Sequence, residues 1–278
     1  MLQAPVVGDA IFARLAEQLD FDAVMVGGGF TAQFLYGLPD MGIISIPEVI
    51  ENVRRVTAVI DLPVIADLDD AGGTPGAIRR NVRMAESAGA AVISVEDTDM
   101  TAKHFWSDDA KGWDFSMNKV IPLERAAGNI RTAVEARRDS ETLILGRTDS
   151  YPALGLEEAL ERAQRFAAAG ADLIYFAEMP HEAITAEVIA AVPVPVIHFE
   201  LDSPSVEDSR RLEEIGVKLL GHYFMPMLGA YEGFRSALED IKNGRPSPKG
   251  PGRARNAAVL ETVDSPRWTR LAQGRSIG

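Results

Sequence analysis

Eight short apolar runs, rich in β-branched residues, recur along the chain and alternate with amphipathic stretches. The runs cover residues 4–7, 23–26, 64–68, 91–95, 142–145, 173–176, 194–199 and 217–220. The amphipathic stretches cover residues 11–19, 47–59, 77–88, 123–137, 156–169, 185–191 and 206–215. Alternation of strands with helices predicts a parallel sheet, and eight strand–helix units predict a closed (β/α)₈ barrel of the TIM type. An open doubly wound sheet is the alternative.

A weak internal repeat supports the barrel prediction. A helical pattern that ends at a glycine and is followed by an apolar run occurs in residues 85–93, 167–174 and 213–219. Glycine is common just beyond a helix end, so repetition of one helix–strand unit is the simplest account. We predict that residues 1–241 form the barrel and catalytic domain. Residues 242–278 combine a Gly- and Pro-rich linker with a helical pattern, and we predict a C-terminal helical tail that packs on a neighbouring subunit.

The composition excludes several classes of function. The 278 residues include no cysteine, which excludes disulfides, thiolate metal sites and a cysteine nucleophile or acid. A formal net charge of −13 disfavours nucleic acid and anionic membranes as partners. No apolar run reaches the roughly 18 residues of a membrane span, and residues 1–10 lack the pattern of a signal peptide. We therefore predict a cytoplasmic protein with a small-molecule substrate.

Two carboxylates lie at the end of the third apolar run. Asp67 and Asp69 are separated by one residue, and because side chains alternate across a strand, both are expected on the same side. Neighbouring carboxylates repel each other unless a cation lies between them, and Mg²⁺ prefers such oxygens as ligands. A metal site and a solvated acidic strand end are equally compatible with these two residues alone.

Charged residues, histidines or glycines also lie at the ends of other predicted strands. They are Gly27, Gly28, Gly29, Glu96, Arg147, Glu178, His198 and His222. In a barrel all of these positions fall at the C-terminal face, where barrel enzymes have their active sites. One such residue is commonly a helix cap or loop residue, but seven consecutive strand ends favour a functional face. Backbone amides of the glycines can bind a carboxylate or phosphate, and a buried arginine needs a carboxylate partner from protein or substrate.

A long polar connection, residues 98–120, follows the fourth predicted strand. Connections of this length in compact domains are often lids or binding loops. This one contains Lys103, His104 and Trp106. We expect His104 or His222 to give or take a proton. The alternatives are an exposed His104 in the loop, and core hydrogen bonding for His198 and His222.

Taken in order, these motifs resemble those of the isocitrate lyase/phosphoenolpyruvate mutase superfamily over about residues 4–234. Residues 27–42 resemble its Ser-Gly-Gly and Leu-Gly-Leu-Pro-Asp elements, and residues 67–73 resemble its Asp-x-Asp-x-Gly-x-Gly metal motif. Three further matches, to Ile-Glu-Asp, Ala-Arg-Thr-Asp and Phe-Pro-Glu, are Val95-Glu96-Asp97, Gly146-Arg147-Thr148-Asp149 and Phe176-Ala177-Glu178. Each motif alone is weak, but their order and their positions at strand ends make the set specific.

The resemblance implies a (β/α)₈ barrel that binds Mg²⁺, or Mn²⁺ in its place. It implies that Asp67 binds the metal directly and that Asp69 binds it largely through water. Glu96 and Asp40 are implied in the outer shell around the metal. It also implies a substrate carboxylate held by Arg147 and by amides near residues 27–29. Asp40, Glu178 and His198 complete the predicted substrate-binding set. The family chemistry is formation of an enolate beside the metal, and the implied assembly is a homotetramer, or a homodimer, with exchanged C-terminal helices.

The departures from the family pattern bear on the reaction. The classical lyases carry a Cys-Gly-His loop after strand four, whereas residues 101–106 here read Thr-Ala-Lys-His-Phe-Trp. The chain is therefore most similar to oxaloacetate decarboxylase-like members, with Lys103, His104, Arg147 and His222 as the predicted catalytic residues. We predict a Mg²⁺-dependent carbon–carbon lyase or decarboxylase for a small 2-oxo or 2-hydroxy di- or tricarboxylic acid. The alternatives are phosphorus–carbon bond chemistry of the phosphonopyruvate hydrolase or phosphoenolpyruvate mutase type, and a catalytically silent metabolite-binding barrel.

Overall fold

The structure is a computed structural model of the chain. It describes residues 1–103, 106–109, 112–179, 182–200, 205–246 and 252–275. His104 and His181 lie outside the described residues.

Eight parallel strands form a nearly closed barrel, which confirms the predicted fold class. In chain order, β1 to β8 are Leu2–Pro5, Val24–Val26, Val64–Asp67, Val92–Glu96, Leu143–Thr148, Leu173–Phe176, Val196–Glu200 and Leu219–His222. From β2 to β8 each strand pairs with the next along the chain, and β8 pairs with β1. A parallel bridge between Val6 and Met25 joins β1 to β2, where the Val7 amide donates to the Met25 carbonyl at 2.8 Å. This pairing order belongs to a barrel, and it excludes the open doubly wound sheet.

Helices surround the barrel and extend beyond it. In chain order, α1 to α12 are Ala10–Gln18, Gly28–Thr31, Ile46–Thr57, Pro75–Ser87, Leu123–Ala136, Tyr151–Leu154, Leu156–Ala168, Glu182–Ala191, Val206–Glu214, Phe224–Lys242, Gly252–Thr262 and Ser265–Ala272. A π-helical segment, Ala32–Tyr36, continues α2. Local sequence sets several of these starts: Glu48 accepts from the Ser45 amide at 2.7 Å at the start of α3, and Thr74 precedes Pro75 at the start of α4.

The strands are apolar on both faces, as expected for a parallel sheet covered by helices. One set of side chains fills the barrel interior and includes Met25, Ile65, Leu145 and Ile197. The alternate set packs against the helices and includes Val24, Ile93, Ile144, Ile174 and Val196. This division fixes which strand residues can face a site at the end of the barrel.

Element boundaries differ from the sequence prediction where polar residues belong to a strand. β5 continues to Thr148 and β8 to His222, beyond the apolar runs that we used to predict them. The helical pattern predicted within residues 242–278 forms two helices, α11 and α12, because Asp264 has a left-handed backbone (φ 56°) between them. The sequence pattern did not predict α10, in which no residue is fully buried and most apolar side chains are exposed, although Met227 packs against the barrel interior.

The C-terminal tail contacts the body of its own chain at α1. The Thr262 hydroxyl in α11 donates to Gln18 Oε1 at 3.1 Å, and Arg14 lies 3.5 Å from the Thr262 carbonyl. In the long connection after β4, Trp106–Ser107 pairs antiparallel with Gly112–Trp113. Within the described ranges, no helix combines the length and the apolar character needed to cross a membrane.

Candidate active site

Charged side chains converge at the carboxyl ends of β3, β4 and β5. Asp67, Glu96 and Arg147 occupy strand positions whose neighbours two residues back, such as Ile65 and Leu145, fill the barrel interior. By the alternation of a strand, all three therefore face into the top of the barrel. They are buried, with 7 %, 2 % and 9 % of their surface exposed.

Asp69 reaches the same cluster by a different route from the one we predicted. It lies beyond the end of β3 and has a left-handed backbone (φ 48°), so strand alternation does not place it. The Asp69 carbonyl accepts from the Glu96 amide at 2.8 Å, which fixes this turn against β4. Non-glycine residues adopt this left-handed conformation rarely, and those that do are concentrated at functional sites.

Lys103 inserts its ammonium group among the carboxylates. Its Nζ lies 2.5 Å from Asp69 Oδ1, 3.2 Å from Asp40 Oδ1 and 3.5 Å from Glu96 Oε1. The side chain is 2 % exposed. These contacts connect the long loop after β4, the segment after α2 and the end of β3 in one buried ion cluster.

Arg147 obtains its predicted carboxylate partner from the protein. Its Nε and Nη2 donate to the two oxygens of Asp149 at 2.7 and 2.9 Å, a bidentate pair. Its remaining nitrogen, Nη1, lies 3.2 Å from Glu96 Oε2 and 3.4 Å from Asp67 Oδ2. The guanidinium carbon lies 5.4 Å from the ring centre of Tyr175. The Asp149 pair orients the guanidinium so that Nη1 points toward the other carboxylates.

A second layer holds the end of β5 in place. Asp97 accepts from the Thr148 hydroxyl at 2.8 Å and from the Asp149 amide at 2.9 Å. Arg162 of α7 lies 3.1 Å from the same Asp97 carboxylate and donates to the Ile121 carbonyl at 2.9 Å. Burial raises the pKa of Asp97 to about 6, against the hydrogen bonds that lower it. This network fixes Asp149, and through Asp149 it fixes Arg147.

The buried carboxyl groups have perturbed proton affinities. Burial raises the pKa of Asp67 to about 6, with Glu96 raising it further and Arg147 opposing the change. Burial and the nearby carboxylates raise the pKa of Asp69 to about 7, against the effect of Lys103. Burial alone would raise the pKa of Glu96 as well, but Arg147 and Lys103 lower it below its usual value. Crowded acids of this kind are stabilised by an added cation.

The cluster has the donor chemistry for a hard divalent cation. Asp67 Oδ1 is buried and has no hydrogen-bond partner among the residues that the structure describes. Together with Asp149 the site holds five carboxylates against two cationic side chains, so negative charge is in excess. The described part of the chain contains no ready group of three or more Asp, Glu or His side chains arranged around one metal position. Lys103 and Arg147 lie between the acids instead, and the residues fit Mg²⁺ or Mn²⁺ only as a set that rearranges around it.

The three glycines begin a helix beside this cluster. Gly27 caps α2, and the first amides of a helix lack partners within it, so they are available to an anion. A Cβ at Gly29 would lie 2.8 Å from Asp40 Oδ2 and 2.9 Å from the Tyr223 hydroxyl oxygen. Only glycine allows this close approach without displacing either group.

A small cavity opens onto the cluster. Its volume is about 30 Å³, and it is lined by Met25, Gly29, Asp40, Asp67, Phe115, Arg147, Tyr175, Phe199 and Tyr223. The aromatic residues of this wall were absent from the predicted site. Strand register could have indicated one of them, because Tyr175 on β6 pairs directly with Arg147 on β5. Burial raises the pKa of both Tyr175 and Tyr223, so the phenols stay protonated.

Three predicted site residues are not brought into the cluster. His198 alternates with Ile197 and Phe199, which face the interior, so its side chain faces the helix layer. His222 Nε2 lies 3.1 Å from Gln3 Oε1, and its ring lies 6.4 Å from that of Phe21 on the outer side of β1 and β8. Glu178 follows β6 with a left-handed backbone (φ 56°) and does not line the cavity, although its charge contributes to the raised pKa of Tyr175. The geometry does not support a direct role for the two histidines.

The chain is similar in sequence to a known protein family and to several named proteins. The family model for phosphoenolpyruvate phosphomutase matches residues 1–242. An oxaloacetate decarboxylase of Rhodopseudomonas palustris is 32 % identical over 259 residues, which cover 92 % of this chain and 85 % of that protein. An oxaloacetate decarboxylase of Ectopseudomonas mendocina is 33 % identical over 233 residues, covering 82 % and 77 % of the two chains.

Solved structures share the fold. Oxaloacetate acetylhydrolase in complex with 3,3-difluorooxalacetate superposes with a TM-score of 0.87 at 23 % identity, covering 100 % of this chain and 94 % of the other. 2,3-Dimethylmalate lyase superposes with a TM-score of 0.86 at 23 % identity, with 99 % and 93 % covered. The match of the family model over residues 1–242 agrees with the motifs at the strand ends, and the chain belongs to the phosphoenolpyruvate mutase/isocitrate lyase superfamily.

Proposed function

We propose that this protein is a divalent-metal-dependent decarboxylase or carbon–carbon lyase that acts on a small 2-oxo dicarboxylic acid such as oxaloacetate. The predicted class, a lyase or decarboxylase for small carboxylic acids, is confirmed by relatives named oxaloacetate decarboxylase that cover most of this chain. The dependence on Mg²⁺ and the identity of the substrate are our proposals.

One observation carries the proposal: buried carboxylates in excess of cations line a cavity beside a fixed arginine. Asp67, Asp69 and Glu96 would hold the metal, with Asp40 in an outer position. When bound, Mg²⁺ supplies Lewis-acid stabilisation of negative charge on the substrate oxygens.

The chain's own residues would bind and orient the substrate. Arg147 Nη1 points toward the metal-binding carboxylates, because Asp149 holds the other two nitrogens, and it can pair with a substrate carboxylate. The amides at the start of α2 would receive a carboxylate from the other side of the cavity. Phe115 and Phe199 limit the access of water.

Decarboxylation requires one bond to break and one proton to be delivered. The carbon–carbon bond to the leaving carboxylate breaks, carbon dioxide departs, and its electron pair forms an enolate. A proton then returns to that carbon. The phenols of Tyr175 and Tyr223 line the cavity in protonated form and are the described groups placed to donate it.

The experiment compares substrates, metal and variants in one assay. The purified protein is given oxaloacetate or phosphonopyruvate with Mg²⁺ or with a chelator. We expect carbon dioxide release from oxaloacetate only with metal, and a loss of at least roughly 100-fold in Asp67→Asn, the upper end of what outer partners of a metal ligand cost. Asp61→Asn, an exposed position before β3, makes the same charge change and should keep full activity.

Other outcomes select the alternatives. Turnover of phosphonopyruvate with none of oxaloacetate would replace this proposal by phosphorus–carbon bond chemistry. No turnover of either, with no Mg²⁺ binding by calorimetry, would indicate a catalytically silent barrel.

We also propose a homo-oligomer, a tetramer or a dimer with exchanged C-terminal helices. Helix α10 exposes an apolar stripe, which consists of Met225, Leu228, Tyr231, Phe234, Leu238 and Ile241. A large groove of about 840 Å³ beside it is lined by apolar residues that include Phe12, Phe34 and Leu38. Apolar surface of this extent is typical of an interface. The cytoplasmic location and the absence of nucleic-acid partners remain predictions from the sequence.

A further inference from the structure

The ammonium group of Lys103 occupies the centre of the proposed metal-binding carboxylates. Asp40, Asp69 and Glu96 all lie within 3.5 Å of Nζ, and the side chain is 2 % exposed. Burial of a lysine is costly, and the three carboxylates are what stabilise its charge, holding the pKa of Lys103 well above its usual value. The cluster therefore selects a cation at this position.

An ammonium group and a divalent cation cannot share this position. Both require the same oxygens of Asp40, Asp69 and Glu96, which the ammonium group already contacts. Two cations so close together would also repel each other strongly in a buried environment. Metal binding at these carboxylates thus requires the ammonium group to leave.

The backbone around Lys103 allows such a departure while keeping the side chain near the site. Thr98 pairs with Val120, and the Asp99 amide donates to the Lys119 carbonyl at 2.7 Å, so the base of the loop is fixed. The turn from Asp99 to Ala102 includes a backbone hydrogen bond of 2.8 Å, and Asp99 Oδ1 accepts from the Thr101 amide and hydroxyl at 3.0 and 2.7 Å. Because Lys103 directly follows this turn, rotation of its long side chain would take the ammonium group out of the cluster without moving the base of the loop.

We propose that Lys103 is a tethered counter-ion that a divalent metal displaces when it binds. The proposal rests on the proposed metal dependence and adds a mechanism to it. Lys103 neutralises part of the carboxylate charge in the metal-free protein, and each metal ion must exchange with it. Once displaced, the same ammonium group lies at the rim as a positive charge for the incoming dianionic substrate, so metal binds before substrate.

The first test measures Mg²⁺ affinity by calorimetry in the wild type, Lys103→Met and Lys119→Met. A tethered competitor lowers apparent affinity by the fraction of time for which the site is open, so we expect Lys103→Met to bind Mg²⁺ at least ~10-fold more tightly. Lys119 is exposed in the same loop, and Lys119→Met should leave the affinity unchanged. Equal affinities in all three proteins would overturn the proposal.

The second test needs no variant at the site. The wild type is treated with an amine-acylating reagent with and without Mg²⁺, and modification of each lysine is measured by mass spectrometry. We expect Lys103 to be protected without metal and modified with metal, while Lys119 reacts equally in both conditions. Mg²⁺ binding with Lys103 still protected would overturn the displacement and leave the proposed function standing. Failure of both the wild type and Lys103→Met to bind Mg²⁺ would overturn the metal dependence itself.

Discussion

We propose Tyr223, one of the two phenols in the cavity wall, as the proton donor. Its hydroxyl group approaches Gly29 at the start of α2, and its ring packs edge-on against Phe30 at 5.1 Å. Burial and the charge of Asp40 keep the phenol protonated. Tyr175 has a different environment, since its ring lies against Arg147 and 4.8 Å from Phe199.

We expect Tyr223→Phe to lower kcat for oxaloacetate by roughly 10²-fold, the lower range for loss of a general acid. The ring and its packing remain, so folding and KM should change little. Tyr175→Phe is the matched control, because it also removes one buried phenol hydroxyl but leaves the ring contact with Arg147. Steady-state kinetics measure both. A larger loss of kcat in Tyr175→Phe would assign the proton donor to Tyr175 instead.

The convergence of the buried acids could be predicted from sequence, whereas the aromatic wall and the orientation of the histidines could not. Asp67 and Glu96 lie at the ends of apolar runs, and the carboxyl ends of all strands in a barrel lie at its C-terminal face. The prediction that His198 faces the site was wrong. A shift of one residue along a strand moves a side chain from the barrel interior to the helix layer, and the apolar run alone does not fix that register. Tyr223 lies at the start of a segment, residues 223–228, whose composition gives no sign that one ring faces the site.

At the scale of elements, Arg162 connects helix α7 to the site at the end of β5. It is 4 % exposed and neutralises Asp97, which in turn holds Thr148 and the amide of Asp149. Its contact with the Ile121 carbonyl also fixes the point where the long loop returns to the barrel. One helix thus positions both a strand end and a loop.

Removing this arginine leaves a buried acid without its cation. We expect Arg162→Met to lower the free energy of unfolding by about 3–5 kcal/mol, as for other broken buried pairs. Arg165→Met on the same helix removes an exposed pair with Glu124 and should cost about 0–1 kcal/mol. Denaturant titration measures both variants. If Asp97→Asn is added to Arg162→Met and recovers none of the loss, the unpaired charge is not its cause.

Most barrel elements could be predicted because burial on both faces gives each strand an uninterrupted apolar run. The run over residues 173–176 coincides with β6. Helix α10 could not be predicted in the same way, since most of its apolar side chains are exposed in this chain and its sequence contains Gly229 and Gly233. The apolar stripe of α10 is explained by the second subunit that we propose to cover it.

At the scale of the whole molecule, the raised pKa values of buried carboxyl groups link stability to pH. Burial raises the pKa of Asp67 and of Asp97 to about 6 and that of Asp69 to about 7, all above the ordinary value of 3.8. The folded protein therefore binds these protons more tightly than the unfolded chain. Their contribution to stability is complete below about pH 4 and is lost as pH rises through 6 to 7.

We expect the Tm of the metal-free protein to fall between pH 5 and pH 8. Mg²⁺ should raise the Tm most at pH 8 and least at pH 5, because protons and metal compete for Asp67 and Asp69. Thermal unfolding with and without Mg²⁺ measures this, and Asp67→Asn with Asp69→Asn should flatten both profiles. A metal-free Tm that rises across this range contradicts the assignment.

The assembly can be tested on the stripe of α10. We expect Phe234→Glu to shift the protein to a smaller species in light scattering, because Phe234 is 69 % exposed in one chain and would be buried between subunits. Ser236→Glu introduces the same charge on the opposite side of the helix and should leave the mass unchanged. A monomeric wild type would contradict the proposed oligomer.

The close approach of β7 and β8 makes substrate range adjustable at one position. A Cβ at Gly221 would overlap the ring of Phe199, so this ring fills the space that a side chain on β8 would otherwise occupy. Phe199 lines the cavity without contributing charge. Phe199→Ala should therefore shift the ratio of kcat/KM toward diacids with an alkyl branch, as measured by competition between branched and unbranched substrates. New selectivity can arise here while the acids, the arginine and the tethered lysine stay unchanged.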